Sequence, residues 1–173
     1  AYITNRHEDL LIFDINLNVN KKLKKINFNY GAGGKQQLVF SSANRKSADN
    51  DFLYATTRYP DNGSVVKDVF IYSQLFIPIK NKTKIYVGSR YNYNLLEANF
   101  KKNNTFSFPD QKILTANQSI INSFLLNYNF SPTLTFNTCY YTGFRNPNID
   151  DMGKIFSKGN GYVVIPNNEL KPE

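Results

Sequence analysis

Tryptophan is missing from this 173-residue chain, and cysteine, histidine and methionine occur once each. A single cysteine excludes an internal disulfide, and a single histidine excludes any multi-histidine metal centre. No apolar run approaches the ~20 residues that a membrane-spanning helix needs. The opening Ala1-Tyr2-Ile3-Thr4-Asn5-Arg6-His7 lacks a basic segment followed by an apolar one, so it shows no signal peptide. A cleaved signal, or a chain that begins midway through a gene product, would leave such a start. Helical periodicity, low-complexity tracts and tandem repeats are absent as well.

What is abundant points to β-structure. Aromatic residues make up 15% of the chain, as 12 Tyr and 14 Phe, and there are 25 Asn. Phe13 to Asn20 alternates apolar and polar side chains strictly, which sets Phe13, Ile15, Leu17 and Val19 on one face of a strand. The alternation resumes at Ile26–Tyr30 after a short lysine-rich turn, and this predicts an antiparallel hairpin. Val69–Ile79 with Ile85–Tyr93, and Ser123–Phe130 with Leu134–Tyr140, predict two more. Between the hairpins, roughly residues 35–65, 95–118 and 144–173 read as long polar loops. Short turns on one side and elaborated loops on the other suit a barrel with one trimmed rim.

Which face is wet stays open on alternation alone. The apolar set faces either a soluble core, with the Asn-rich set in water, or lipid, with the Asn-rich set lining a hydrated lumen. In the second case Arg90 must point inward, since an arginine at mid-bilayer costs ~2–4 kcal/mol. Tyr93, Tyr128, Phe130 and Tyr140 would then serve as interfacial aromatics.

The residues that invite a chemical reading are individually weak. Gly31-Ala32-Gly33-Gly34-Lys35 lacks the spacing and the Ser/Thr of a phosphate loop, and reads as a strand end with close backbone approach. His7-Glu8-Asp9 lacks a marked nucleophile and reads as a solvated loop. The clustered lysines at 21–25 and 80–84 lie in turns away from the aromatics, so the formal net charge of +8 does not argue for nucleic acid. Cys139 reads as a small lumen-facing filler. Asp150-Asp151 lacks the spacing of a calcium loop. Asn62, Asn81, Asn103 and Asn117 match the glycosylation tripeptide as expected by chance in an Asn-rich chain. No cofactor and no metal site is indicated.

Tyr141-Thr142-Gly143-Phe144-Arg145-Asn146-Pro147-Asn148-Ile149-Asp150-Asp151 closely resembles a strand end and loop of TonB-dependent outer-membrane receptors, of the kind common in Bacteroidetes. Val163 to Glu173, Thr57 to Ser64 and Arg90 to Leu96 are similar to the same family. Where the family has Ala or Ser before the proline, this chain has Asn146. Haem-receptor relatives carry a histidine between the two loop boxes, and none stands between Pro147 and Asn167 here.

The resemblance implies an all-β, antiparallel up-and-down meander that forms part of a transmembrane barrel of about 22 strands, with short periplasmic turns and long extracellular loops. At ~25 residues per strand with its connections, 173 residues hold six to eight strands. Residues 1–173 are therefore expected to be a barrel segment without the plug domain and the remaining strands. The implied function is the energised import of a scarce nutrient such as a ferric siderophore, haem or cobalamin, without catalysis. The implied partners are the nutrient, outer-membrane lipid, and TonB through an N-terminal part outside this chain; nucleic acid is not among them. The runner-up is a self-contained small β-barrel, either a passive outer-membrane protein or a soluble binding module. Candidate ligand contacts are Arg58, Arg90 and Arg145 for an anion, and Tyr59, Tyr86 and Tyr141 for an aromatic ligand. Phe144, Arg145, Pro147, Asn148, Asp150 and Asp151 form the loop motif, in which Arg145 is expected to fix the rim with Asp150 and Asp151 as partners.

Overall fold

The computed structural model describes residues 2–47, 52–55, 57–101, 112–153, 156–159, 162–164, 166–167 and 169–173. One antiparallel sheet dominates, built from β1 (Tyr2–Leu23), β2 (Ile26–Ser47), β4 (Ser64–Ile79), β5 (Thr83–Asn99), β6 (Lys112–Ser131) and β7 (Leu134–Tyr141) in meander order. The three-residue β3 (Phe52–Tyr54) adds to β2, and β8 (Phe156–Gly159) with β9 (Tyr162–Val164) makes a separate small hairpin. A single helical turn, α1 (Ile149–Met152), lies between β7 and β8. The sheet is an open half-barrel whose edges are β1 and β7, so these strands do not close on themselves as a small barrel.

The three expected hairpins are present, with turns at Lys24-Lys25, Lys80-Asn81-Lys82 and Pro132-Thr133. Lys24 and Lys80 take left-handed backbone angles, φ 57° and 54°. Pro78 sits one residue from the end of β4, opposite Lys84, where a missing amide donor does least damage.

Two expectations about the connections are corrected. Within the stretches near 35–65 and 95–118, residues 35–47, 52–54, 64–65, 95–99 and 112–118 are paired strand: β2 continues to Ser47, β4 starts at Ser64, β5 continues to Asn99 and β6 starts at Lys112. Strands β1 and β2 are 22 residues long, about twice the ~9–11 that crossing a bilayer takes. Their outer halves hold sheet pairing without the polar–apolar alternation that marks the inner halves. The glycine-rich stretch is also not a strand end, because Gly31, Gly33 and Gly34 pair with Tyr72, Phe70 and Val69 in the interior of β2.

Register sorts the side chains cleanly. Across the convex face run the rows Leu17–Ala32–Ile71–Tyr91–Ile120 and Phe28–Leu75–Val87–Phe124–Tyr140. These side chains are open to the surroundings; Ile15 is 67% exposed, Ile71 58% and Ile120 64%. A contiguous apolar wall of this extent is not left facing water. The concave face carries Asn16, Asn18, Asp68, Arg90, Asn92, Ser119 and Ser123. Arg90 is on the inward side, as alternation requires.

At the loop end the pattern changes. Leu96, Ala98, Phe100 and Ile113 point inward and pack with Met152 of α1, while Val66 and Leu170 flank them. This is the hydrophobic core of the described residues, and it lies at the mouth of the half-barrel.

Candidate functional site

The chain between Gly143 and Met152 leaves the end of β7 and packs into that mouth. Asn148 caps α1: its side chain accepts from the Asp151 amide at 2.9 Å, and the Asp151 carboxylate accepts from the Asn148 amide at 3.0 Å. This reciprocal box satisfies two amides that a one-turn helix would otherwise leave open. Ile149 and Met152 are the buried residues of the turn. Gly153 follows, where a side chain would press on Pro60 at 3.1 Å, so the 57–63 loop and α1 fit against each other.

Arg145 locks this lobe from the side. Its Nη2 donates to both Asp151 oxygens, at 3.0 and 3.3 Å, and its Nη1 lies 3.6 Å from the Glu173 carboxylate. Main-chain bonds from the Arg145 amide to the Glu173 carbonyl (3.0 Å) and back (3.1 Å) hold the lobe at its base. Arg58 lies 3.7 Å from Asp150, and its guanidinium sits 5.3 Å from the centre of the Tyr59 ring. The Tyr59 hydroxyl donates to Asp150 at 3.3 Å. Partial burial, and after it the Asp150 carboxylate, push the Tyr59 phenol above its ordinary value. It therefore stays a neutral donor at any physiological pH.

Below the lobe, the concave face holds a recess of about 420 Å³ bordered by Asp14, Lys35, Asp68, Arg90, Phe144 and Asn146 among others. Arg90 is fixed rather than free to sweep. Its guanidinium carbon stands 3.8 Å over the Phe70 ring, and its Nε donates to Asn92 at 2.6 Å. The Phe70 ring in turn reaches over Gly33, where a Cβ would come within 2.5 Å of its Cζ. Asn94, buried, donates to Asp68 at 2.7 Å. The Asn146 side-chain oxygen is buried without a protein partner among the described residues. Two cations and two carboxylates border the recess, so it carries no net charge and offers donors and acceptors side by side.

The sequence-derived candidates thus separate into three groups. Arg58, Tyr59 and Arg145 gather around α1, and each arginine already holds an aspartate. Arg90 lies in the recess beside Phe144 and Asn146. Tyr86 packs against Phe76 with the rings tilted, centres 4.8 Å apart, roughly 13 Å along β5 from Arg90. Tyr141 is exposed at the end of edge strand β7, opposite Ser123. The three arginines do not converge on one point, so no three-pronged anion clamp is assembled. Asp14, Lys35 and Asp68 were not among the ligand contacts expected from the sequence; their signal is that register sets them in one inward row with Asn94, near Arg90.

Residues 2–173 match the family profile described as "TonB dependent receptor-like, beta-barrel". No curated protein matches the chain.

Proposed function

The chain belongs to the family of TonB-dependent receptor-like β-barrels, and from that membership we propose that it forms one side of the wall of an importer for a scarce nutrient. The family is one of non-enzymatic transporters in the Gram-negative outer membrane, whose members engage a ligand and TonB in general. On this reading the nutrient is a ferric siderophore, haem, cobalamin or a compound of that kind, and iron uptake is the first case to test. The Phe144-Arg145-x-Pro147-Asn148-x-Asp150-Asp151 run favours a receptor of the Bacteroidetes type. On this reading the remaining strands, a plug domain and the TonB-contacting segment come from sequence outside this chain; the two open sheet edges support the further strands. The short turns then face the periplasm and the α1 lobe faces outside.

The observation that carries the proposal is the placement of the α1 lobe. It packs into the mouth of a half-barrel whose wall is apolar outside and polar inside, directly above the recess of Arg90, Phe144 and Asn146. A ligand arriving from the loop end meets Arg58, Tyr59 and Arg145 before it meets Arg90. The lobe holds the rim in shape, and the recess supplies polar contacts without an electrostatic preference for anions.

Uptake of labelled ferric siderophore, haem and cobalamin, each in turn, by cells carrying the whole receptor tests this. The proposal expects uptake of one of them that stops when TonB is deleted or the proton gradient is collapsed, and that falls at least several-fold in Arg90→Ala. Accumulation that persists without TonB would point to a passive pore instead. Unchanged binding and uptake in Arg90→Ala and Arg58→Ala would remove both arginines from the ligand path.

A further inference from the structure

Charge is divided unevenly between the two ends of the sheet. Lys21, Lys22, Lys24 and Lys25 lie in or beside the β1–β2 turn, and Lys80, Lys82 and Lys84 in or beside the β4–β5 turn. No aspartate or glutamate occurs within residues 15–48, 69–96 or 111–149, the runs that contain the three turns. The turn end thus carries seven cations and no acid, which leaves fourteen cations to thirteen acids in the rest of the chain. Almost all of the net charge of +8 sits at one end. All seven lysines are exposed, and no salt bridge of the described residues involves any of them.

Backbone conformation does not ask for lysine here. Lys24 and Lys80 hold φ 57° and 54°, where glycine is unstrained and asparagine is the usual substitute. In a chain with 25 asparagines, both positions carry a cation instead. Because β2 and β4 are neighbours, the two turns lie side by side, about two strand spacings or roughly 10 Å across the sheet.

Register sets these cations at the margin of the apolar wall. Lys21 opens the outward row of Phe28, Leu75, Val87 and Phe124, and Thr83, Tyr128 and Phe136 form an outward row beside the β4–β5 turn. Tyr128 packs edge-on against Phe130, ring centres 4.6 Å apart. The Lys82 carbonyl accepts from the Asn129 amide at 2.8 Å, which ties the β4–β5 turn to this aromatic corner. Aromatic residues with cations just beyond them mark the headgroup depth of a bilayer. Turns of two and three residues keep their ammonium groups close to that layer, which is roughly 5–7 Å thick on each side.

We infer that the turn end docks on anionic phospholipid headgroups, with Lys21, Lys24, Lys25, Lys80 and Lys82 against lipid phosphates and the apolar rows beside them in the acyl chains. Lys22 and Lys84 fall on the inward side of the last paired rows and stand outside that contact. Clustered lysines without acids are drawn to an anionic membrane surface. In the orientation proposed above, the turns meet the periplasmic leaflet, which is built of phospholipid. The docking rests on that membrane setting and not on what the receptor imports, so failed uptake of every nutrient tested would leave it standing.

Native mass spectrometry of the whole receptor, stripped of lipid and then offered phosphatidylglycerol or phosphatidylcholine with the same acyl chains, tests it. The wild type is expected to retain phosphatidylglycerol several-fold more than phosphatidylcholine. Replacing Lys21, Lys24, Lys25, Lys80 and Lys82 together by Gln should remove most of that excess and leave phosphatidylcholine retention as it is. Two double variants separate contact from bulk charge. Lys24→Gly with Lys80→Gly suits the left-handed backbone and should lower the excess about two-fold. Lys22→Gln with Lys84→Gln removes the same charge on the inward side and should change it far less. An undiminished excess in the five-lysine variant would overturn the docking. Equal loss in the two double variants would overturn the headgroup contact in favour of a general field that any acidic partner meets equally. If the five-lysine variant does not fold, the double glycine variant decides: a reduced excess supports the docking and an unchanged one contradicts it.

Discussion

Between Ile85 and Tyr93, strand β5 turns Ile85, Val87, Tyr91 and Tyr93 outward and Arg90 and Asn92 inward; between Leu96 and Asn99 the same strand turns Leu96 and Ala98 inward and Glu97 outward. The first stretch is an inverted protein, apolar where it meets its surroundings and polar where it meets its own interior. The second is built like any body in water, with Leu96, Ala98 and Ile113 buried against Met152 and the Glu97–Lys112 ion pair on the outside. The change of solvent is thus written into one continuous ladder, and it falls between Tyr93 and Leu96. Sheet pairing itself is indifferent to the change, because the backbone bonds are satisfied in the same way on both sides of it. Only the side chains know which medium they are in.

Five substitutions sharpen or break this contrast. The largest effect is expected at the rim, where Met152→Ala removes the centre of the core and costs about 2–5 kcal/mol of local stability. Hydrogen exchange should show amides of 149–153 and 96–98 losing protection while the amides of 85–91 keep theirs; equal loss in both would mean that the two regions are one cooperative unit. In the belt, Ile71→Arg should cost about 2–4 kcal/mol in denaturant titrations from lipid vesicles, whereas Asn16→Arg on the concave face should stay within about 0.5 kcal/mol. The opposite order would mean that the wall is inside out. Asn148→Ala should destabilise the α1 lobe by about 1 kcal/mol through the lost cap, and Arg145→Ala by ~0–1 kcal/mol, since that ion pair is largely solvated. Both should register in protection of the lobe and not in belt stability.

The smallest effect is a pH dependence confined to the rim. Burial and the Asp150 carboxylate raise the Tyr59 phenol above its ordinary value, so the folded rim holds this proton at pH values where an unfolded chain releases it. The stability contributed is complete below the unfolded value of ~10 and is lost as pH rises through the folded value. Protection of the 57–63 loop should therefore fall above about pH 10 in the wild type, and Tyr59→Phe should flatten that decline.

The belt was legible because lipid on one side and water on the other force strict alternation, as Phe13-Asp14-Ile15-Asn16-Leu17-Asn18-Val19-Asn20 displays. The outer halves of the strands were not, because there the apolar set moves to the other face. Adjacent pairs such as Val65-Val66, Leu95-Leu96 and Leu38-Val39 straddle the change and look like breaks in a strand. They are the one signal that could have extended β2, β4 and β5 to their true ends. At the candidate site, the loop motif around Arg145 was visible as a motif, and its aspartate partner, Asp151, is local in sequence. The recess was not visible, since Asp14, Lys35, Asp68 and Arg90 come from four strands and meet only through register. The α1 turn, four residues long, is too short to show a period.

The account turns on which medium touches the convex wall. Single nitroxide labels at positions 120, 122, 124 and 126, and at 121, 123, 125 and 127, in the whole receptor embedded in lipid and lacking Cys139, measure this directly. Dissolved oxygen should relax the even-numbered labels strongly and a water-soluble nickel chelate the odd-numbered ones. Nickel access at 124 and 126 with oxygen-rich surroundings at 125 and 127, or both sets shielded inside a closed body, would contradict the account.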